Sequence, residues 1–208
     1  LVTDDIRPKI EQVFKTWNDA FKEKGWGSVF LGNHDFARMV SRWGNDREYR
    51  EQSSKLLITL LLTMRGTTFI FQGDEIGMTN TNLSAVSESR DIETLNGWRE
   101  AQKKGIPEKA FLQAANYAGR DNARTPMQWS SDFHGGFSQG EPWMTVNKNT
   151  SHINVAAQQD ASDSVLNWFK SMTALRKAYP VLTYGTYLPI EETPDSLFLY
   201  FRESGKEK

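Results

Sequence analysis

Two hydrophobic rhythms alternate along the first third of the chain. Between Asp5 and Lys24, Ile10, Val13, Phe14, Trp17 and Phe21 recur at the spacing of one helix face. Asp4 or Asp5 stands where a cap belongs, Pro8 sits in the first turn and Gly25 ends the run. From Ser28 a short apolar stretch runs into Asn33, His34 and Asp35, which reads as a buried strand with a polar end. Arg47 to Arg65 predicts a second helix, with Tyr49, Leu56, Leu57, Leu60, Leu61 and Met64 on its apolar stripe and Gly66 as its stop. Thr67 to Phe71 is a second short strand, again ending in Gly73, Asp74 and Glu75. Helix, strand, helix, strand over 5–75 implies parallel βα units, with both strands turning polar only at their C-terminal ends. In a (β/α)8 TIM barrel that end builds the active site. An open doubly wound sheet has the same pattern, but no Gly-rich phosphate loop follows either strand, which disfavours a nucleotide-binding version.

Beyond residue 75 the rhythm breaks. Residues 76–162 are rich in Asn, Ser, Gly and Gln, with short helices expected at Glu93 to Lys104 and Pro107 to Tyr117. Gly119 to Thr150 reads as a long, ordered, aromatic-bearing loop region, and the whole stretch as an insertion over the site. Ser164 to Tyr179 predicts a helix with Leu166, Phe169, Met172 and Leu175 inward. Tyr184 to Leu188 and Ser196 to Arg202 read as antiparallel strands opening a β-domain. The expected organisation is therefore 1–180 in the barrel, with the insertion at 76–162, and 181–208 in the β-domain. Both ends read as cut points: Leu1 is not an initiator Met, and the chain stops just after a strand-like run.

Composition narrows the chemistry. A formal net charge of −1 gives no reason to expect a nucleic-acid or anionic-membrane partner. The longest apolar run, Leu56 to Leu62, is far too short to span a membrane and is interrupted by Thr59. With no cysteine and only His34, His134 and His152, thiolate and histidine-rich metal sites are excluded, and no metal or cofactor is expected. Seven Trp and twelve Phe supply flat apolar faces of the kind that pack cores or stack on sugar rings.

The candidate chemistry begins at the first strand end. Asp35, beside His34, can hold hydroxyl groups or stabilise an oxocarbenium-like transition state, and it equally fits a loop cap. Spacing alone pairs it with Asp74 or Glu75 on the next strand end. Five further features stand in order along the chain. Phe30-Leu31-Gly32-Asn33-His34-Asp35 and the following Arg38-Met39-Val40-Ser41-Arg42-Trp43-Gly44 resemble a strand-seven motif. Phe71-Gln72-Gly73-Asp74-Glu75-Ile76-Gly77-Met78 resembles the strand-eight segment. Arg90-Asp91-Ile92-Glu93, Gly119-Arg120-Asp121-Asn122-Ala123-Arg124-Thr125-Pro126-Met127-Gln128-Trp129 and Gly140-Glu141-Pro142-Trp143 follow. Together they resemble the α-amylase superfamily, in its oligo-1,6-glucosidase and α-glucosidase subgroup, from about Asp5 to Tyr200.

That resemblance implies the C-terminal part of a (β/α)8 barrel, from about helix six onward. It implies a retaining glycoside hydrolase that removes terminal α-linked glucose, α-1,6 or α-1,4, from short oligosaccharides. Asp35 then matches the transition-state-stabilising carboxylate, and His34 its partner on the same glucosyl ring. Arg120 matches an arginine closing the pocket, a task suited to a permanently charged fork. Glu93 matches an acid near the aglycone side; as a first-turn helix acid it also suits the helix dipole. Asp74 and Glu75 become loop architecture. The nucleophile Asp and acid/base Glu, like the family's calcium loop, are expected upstream, so this chain is expected to be inactive alone and to self-associate through exposed barrel edges. A cytoplasmic location is the family expectation. Phe36-Ala37 replaces the relatives' usual Gln-Pro and Asp74 a usual Glu, which leaves linkage preference open. Trehalose synthases and sucrose isomerases resemble the same subgroup. Non-catalytic transporter partners share the fold, but retention of His34, Asp35 and Arg120 argues against them.

Overall fold

The computed structural model describes residues 7–22, 24–190, 194 and 197–205. The expected cap at Asp4 or Asp5 and the expected strand start at Ser196 lie outside them. In chain order, helix α1 (Arg7–Phe21) leads to strand β1 (Ser28–Val29), then α2 (Met39–Trp43), α3 (Arg50–Thr63) and β2 (Thr67–Thr68). Helices α4 (Ile92–Lys103), α5 (Glu108–Ala118) and the one-turn α6 (Asp121–Arg124) follow. Then come α7 (Val155–Gln159), α8 (Val165–Ala178), α9 (Val181–Tyr184), β3 (Thr186–Pro189) and β4 (Tyr200–Glu203). The chain falls into two compact units, one of residues up to 29 with 60–69 and 172 onward, the other of 30–59 with 70–171.

In the first unit β1 and β2 pair in parallel, Ser28 opposite Thr67 and Val29 opposite Thr68, as the alternation of helix and strand predicts. Trp26 Nε1 donates to Thr67 Oγ1 at 2.8 Å, and the Arg65 guanidinium lies over the Trp26 ring. Arg176 closes the C-terminal end of α3: its Nη1 donates to the carbonyls of Leu62, Met64 and Leu182, its Nη2 to that of Gly66. Carbonyls left over at a helix end need such donors, and a cation there also suits the helix dipole. Strands β3 and β4 are antiparallel with Tyr187 opposite Arg202, both buried. Tyr184, expected to open a strand, instead closes α9, because the backbone N–H of Gly185 completes a helical turn onto the Val181 carbonyl.

The second unit has an apolar centre of Ile76, Met78, Met127, Ile153 and Leu166, with Val155 packed against it. Around it, the polar residues that made 76–162 look like loop act as internal donors and acceptors. Asn147 Nδ2 donates to the carbonyls of Thr79 and Asn80, and Gln128 Nε2 to that of Ile153. Gln158 Nε2 and Arg50 Nη1 both donate to the Ile76 carbonyl. Irregular backbone can be buried only when its polar groups are paired this way. Both short helices expected here form within a residue or so of their predicted ends.

The stripes predicted for the longer helices are only partly covered. In α3, Leu57 and Leu61 are buried, whereas Leu56 is 69% exposed. In α8 Leu166 and Met172 are buried but Leu175 is exposed, and Val13 and Trp17 of α1 are exposed as well. Helical periodicity identifies an apolar face; it does not supply the surface that packs on it. The helix α2, whose Met39 and Val40 are almost wholly buried, was not expected, since two apolar residues in five carry no readable period.

Candidate active site

All four residues singled out from the sequence meet in the second unit, around two arginines. His34 and Asp35 follow β1, in a turn where the Asn33 side chain accepts the Asp35 backbone N–H at 2.8 Å. This Asx turn is a local consequence of placing Asn two residues before the amide it caps. His34 Nε2 lies 3.4 Å from Asp35 Oδ2. The other oxygen, Oδ1, faces two guanidiniums: Arg124 Nη2 at 3.2 Å and Arg120 Nη1 at 3.7 Å. Arg124 Nε also donates to the His34 carbonyl at 2.9 Å, so one side chain fixes the backbone and the carboxylate of neighbouring residues. His34, Asp35 and Glu93 remain well exposed, open to a ligand from solvent.

Behind the arginines stands Asp91. It caps α4, accepting the backbone N–H groups of Glu93 and Thr94 and the Thr94 hydroxyl. Its Oδ1 receives Arg120 Nη2 at 2.5 Å and Nε at 3.1 Å, with Arg124 Nη1 at 3.5 Å. Burial pushes the Asp91 carboxyl up, but the hydrogen bonds from Arg120, Thr94 and Glu93 outweigh it and hold the group below the usual carboxylate range. The same bond holds the Arg120 guanidinium above its ordinary value. Glu93 Oε2 adds a contact to Arg120 Nη2 at 3.3 Å while occupying the first turn of α4, where an acid suits the helix dipole.

Asp121, between the two arginines in sequence, locks the arrangement. Its buried Oδ2 accepts the Ser89 hydroxyl at 2.6 Å, the Arg90 N–H at 2.8 Å and the Asp91 N–H at 3.2 Å. Arg124, Asp91 and Asp121 were not picked out from the sequence. The spacing carried a signal for two of them. Arg120 and Arg124 are four apart, hence on one side of a helical turn, and Asp91 precedes a helical run with Thr94 at the position a capping Asp serves.

Asp74 and Glu75 stand apart, as loop architecture. Glu75 Oε2 accepts the Gly73 N–H at 2.7 Å. Asp74 is buried, with Oδ2 lacking a hydrogen-bond partner, and it presses on the turn after β1: a Cβ on Gly32 would lie 2.9 Å from that oxygen. Burial raises the Asp74 carboxyl to about 7, with Arg38 opposing and Glu75 assisting. Arg38, 1% exposed, donates to the carbonyls of Gln72 (2.6 Å) and Asn122 (3.0 Å) and to Thr125 Oγ1 (3.3 Å). Burial lowers its guanidinium to about 10, and Asp74 and Glu75 pull it back up. Among the described residues no cluster of His, Asp and Glu is arranged to hold a metal ion, and no helix is long and apolar enough to cross a membrane.

The family model for the alpha amylase catalytic domain matches residues 5–185. The chain belongs to the α-amylase family. Its α-amylase-family relatives include an oligo-1,6-glucosidase from Bacillus cereus, 43% identical over 98% of the chain. A glucan 1,6-alpha-glucosidase from Streptococcus dysgalactiae subsp. equisimilis is 45% identical over 96%. The chain spans 38% and 37% of these two relatives' lengths. Among solved structures, a mutant isomaltulose synthase from Erwinia rhapontici NX5 in complex with sucrose superposes with a TM-score of 0.90. It is 36% identical over 96% of this chain and 36% of its own. The structural neighbours are TIM-barrel enzymes of the α-amylase family, so of the two arrangements that alternating helices and strands left open, the barrel holds for the part this chain covers.

Proposed function

We propose that this chain is the C-terminal part, from about helix six onward, of a retaining α-glucosidase that removes terminal glucose from short α-1,6- or α-1,4-linked oligosaccharides. Residues 181–208 begin its β-domain. The observation that carries the reading is the convergence on Asp35: an exposed carboxylate with His34 on one oxygen and Arg120 and Arg124 facing the other. A carboxylate so oriented is preorganised to accept hydroxyls of a glucosyl ring and to oppose positive charge developing on it. His34 donates or accepts beside it, Arg120 closes the pocket and Glu93 lies on the aglycone side. The covalent intermediate forms on an Asp, and the leaving oxygen is protonated by a Glu; no segment of this chain resembles the motifs that carry either, and both are placed upstream.

The chain alone is therefore expected to be inactive. Exposed Val13, Trp17 and Phe69 support self-association of the isolated chain. Release of nitrophenol from p-nitrophenyl α-glucoside separates the outcomes. A longer protein containing the upstream strands is expected to turn over and this chain is not; Asp35→Asn in the longer protein should lower kcat by about 100- to 1,000-fold. Turnover by the purified 208-residue chain would show that the nucleophile is misassigned. Sucrose isomerisation is the second reading, favoured by the likeness to isomaltulose synthase. Product analysis on sucrose decides between glucose release and an isomeric disaccharide.

A further inference from the structure

A concavity lies in the same unit, outside the cluster around Asp35. Its volume is about 540 Å³, within the range of about 300–1,000 Å³ typical of small-molecule sites. Three carboxylates, Glu88, Asp132 and Glu141, line it together with Arg90, Lys148, His134 and Trp143. The Trp143 indole is 62% exposed, an apolar plate at the rim of a polar bowl. His134 is the one non-glycine residue with positive φ (52°) among those described. The turn around it is closed by the Gly135 N–H onto the Asp132 carbonyl at 2.8 Å. Its Nε2 is buried, without a hydrogen-bond partner, and 3.6 Å from Glu141 Oε1, too far for a direct bond. A left-handed backbone at a non-glycine residue, with an enclosed ring nitrogen left without a partner in the wall of a pocket, is a feature that packing alone does not require.

We propose that this pocket is a saccharide-binding site, taking a neutral glucosyl unit of an oligosaccharide. The proposal rests on the α-glucoside reading above and extends it to a second location. The carboxylates of Glu88, Asp132 and Glu141 accept hydroxyls of a sugar, and Arg90 and Lys148 donate to them. The C–H face of the ring stacks on Trp143. With three carboxylates against two cations, the lining opposes an anionic ligand, and its polarity opposes a purely apolar one. Arg90 joins this pocket to the first site. Its Nε donates to the Trp143 carbonyl at 3.2 Å, and its backbone N–H is held by Asp121, which also holds Asp91.

The test is an NMR titration of the full 208-residue chain with isomaltotriose, reading the Trp143 indole N–H and the His134 ring signals. Both are expected to shift. Glu141→Gln should weaken both responses at least tenfold and Trp143→Ala the His134 response, both at exposed positions. Arg120→Ala should leave it unchanged. Shifts confined to His34 and the surroundings of Arg120 would overturn the pocket and leave the α-glucoside reading standing. A stronger response to inorganic phosphate than to the trisaccharide would overturn the ligand class. No response at the pocket would overturn it whatever happens around His34, while the α-glucoside reading is decided separately by nitrophenol release from the longer protein.

Discussion

Two arginine centres lie in the second unit and use the same side chain in opposite ways. Arg38 is sealed in: its donors go to carbonyls and a hydroxyl, and the carboxyl near it, Asp74, is pushed up by burial. Arg120 and Arg124 stand at the surface with their forks divided between carboxylates, and the carboxyl they share, Asp91, is held down by hydrogen bonds. Burial pushes both carboxyls up, much more strongly at Asp74. The supply of donors differs as well, since Asp74 Oδ2 has no partner whereas Asp91 accepts from Arg120, Thr94 and the start of α4. One centre stiffens the scaffold beneath the turn after β1; the other leaves its charge open to solvent.

The largest effect that would test this contrast is at Arg38. Arg38→Met should destabilise the fold by about 3–5 kcal/mol, because it strips buried acceptors and Asp74 of their cation at once. Urea denaturation measures it, and a loss under about 1 kcal/mol would mean that Arg38 is not structural. Next comes the pH dependence of Asp74. Its folded value, about 7, exceeds the unfolded one near 3.8. Between those values the folded carboxyl keeps a proton that the unfolded one has released. Stability from this group is therefore fully present below the unfolded value and is lost as pH rises toward 7, by at most about 1.4 kcal/mol per pH unit. Denaturation midpoints from pH 4 to pH 7.5 should show that fall relative to Asp74→Asn, and parallel profiles would refute it. Asp91 has the reverse sign: its contribution is present above the unfolded value and lost in acid below it.

Smaller changes sharpen the comparison. Gly32→Ala places a methyl 2.9 Å from Asp74 Oδ2, an overpacking expected to cost about 1–3 kcal/mol. Equal thermal stability of the variant and the parent chain would argue that Asp74 yields easily. Smallest is the cap itself. Asp91→Asn keeps a capping side chain and loses the charge, so it should exceed Asp91→Ala in stability by about 1 kcal/mol, while both weaken the hold on Arg120. If the two variants unfold together, capping is not what Asp91 contributes.

The open centre was the more legible of the two in the sequence. Asp35, His34, Arg120 and Glu93 were marked by recurring motifs, and the structure brings them into one cluster. Arg124 and Asp91 lay inside the same motifs unremarked, because a second cation and a second acid add nothing to a pattern until geometry shows them sharing oxygens. The sealed centre lay inside the motifs too, but nothing in them marks Arg38 and Asp74 as buried neighbours. Arginine is ordinarily a surface residue, and only the surrounding chain decides that Arg38 is covered. The parallel strand pair and the longer helices followed from period and punctuation. Which parts of their apolar faces are covered did not, as Leu56, Leu175 and Trp17 show.

Asp121 carries one further consequence. A single carboxylate oxygen binds Ser89, Arg90 and Asp91 across some thirty residues of chain, while the backbone on either side of it bears Arg120 and Arg124. The two segments are therefore one structural unit. A graft that exchanged 119–124 between relatives but left 89–93 behind would need a matching register on both sides, and recombination that respects loops but ignores this staple would transplant both arginines out of alignment together.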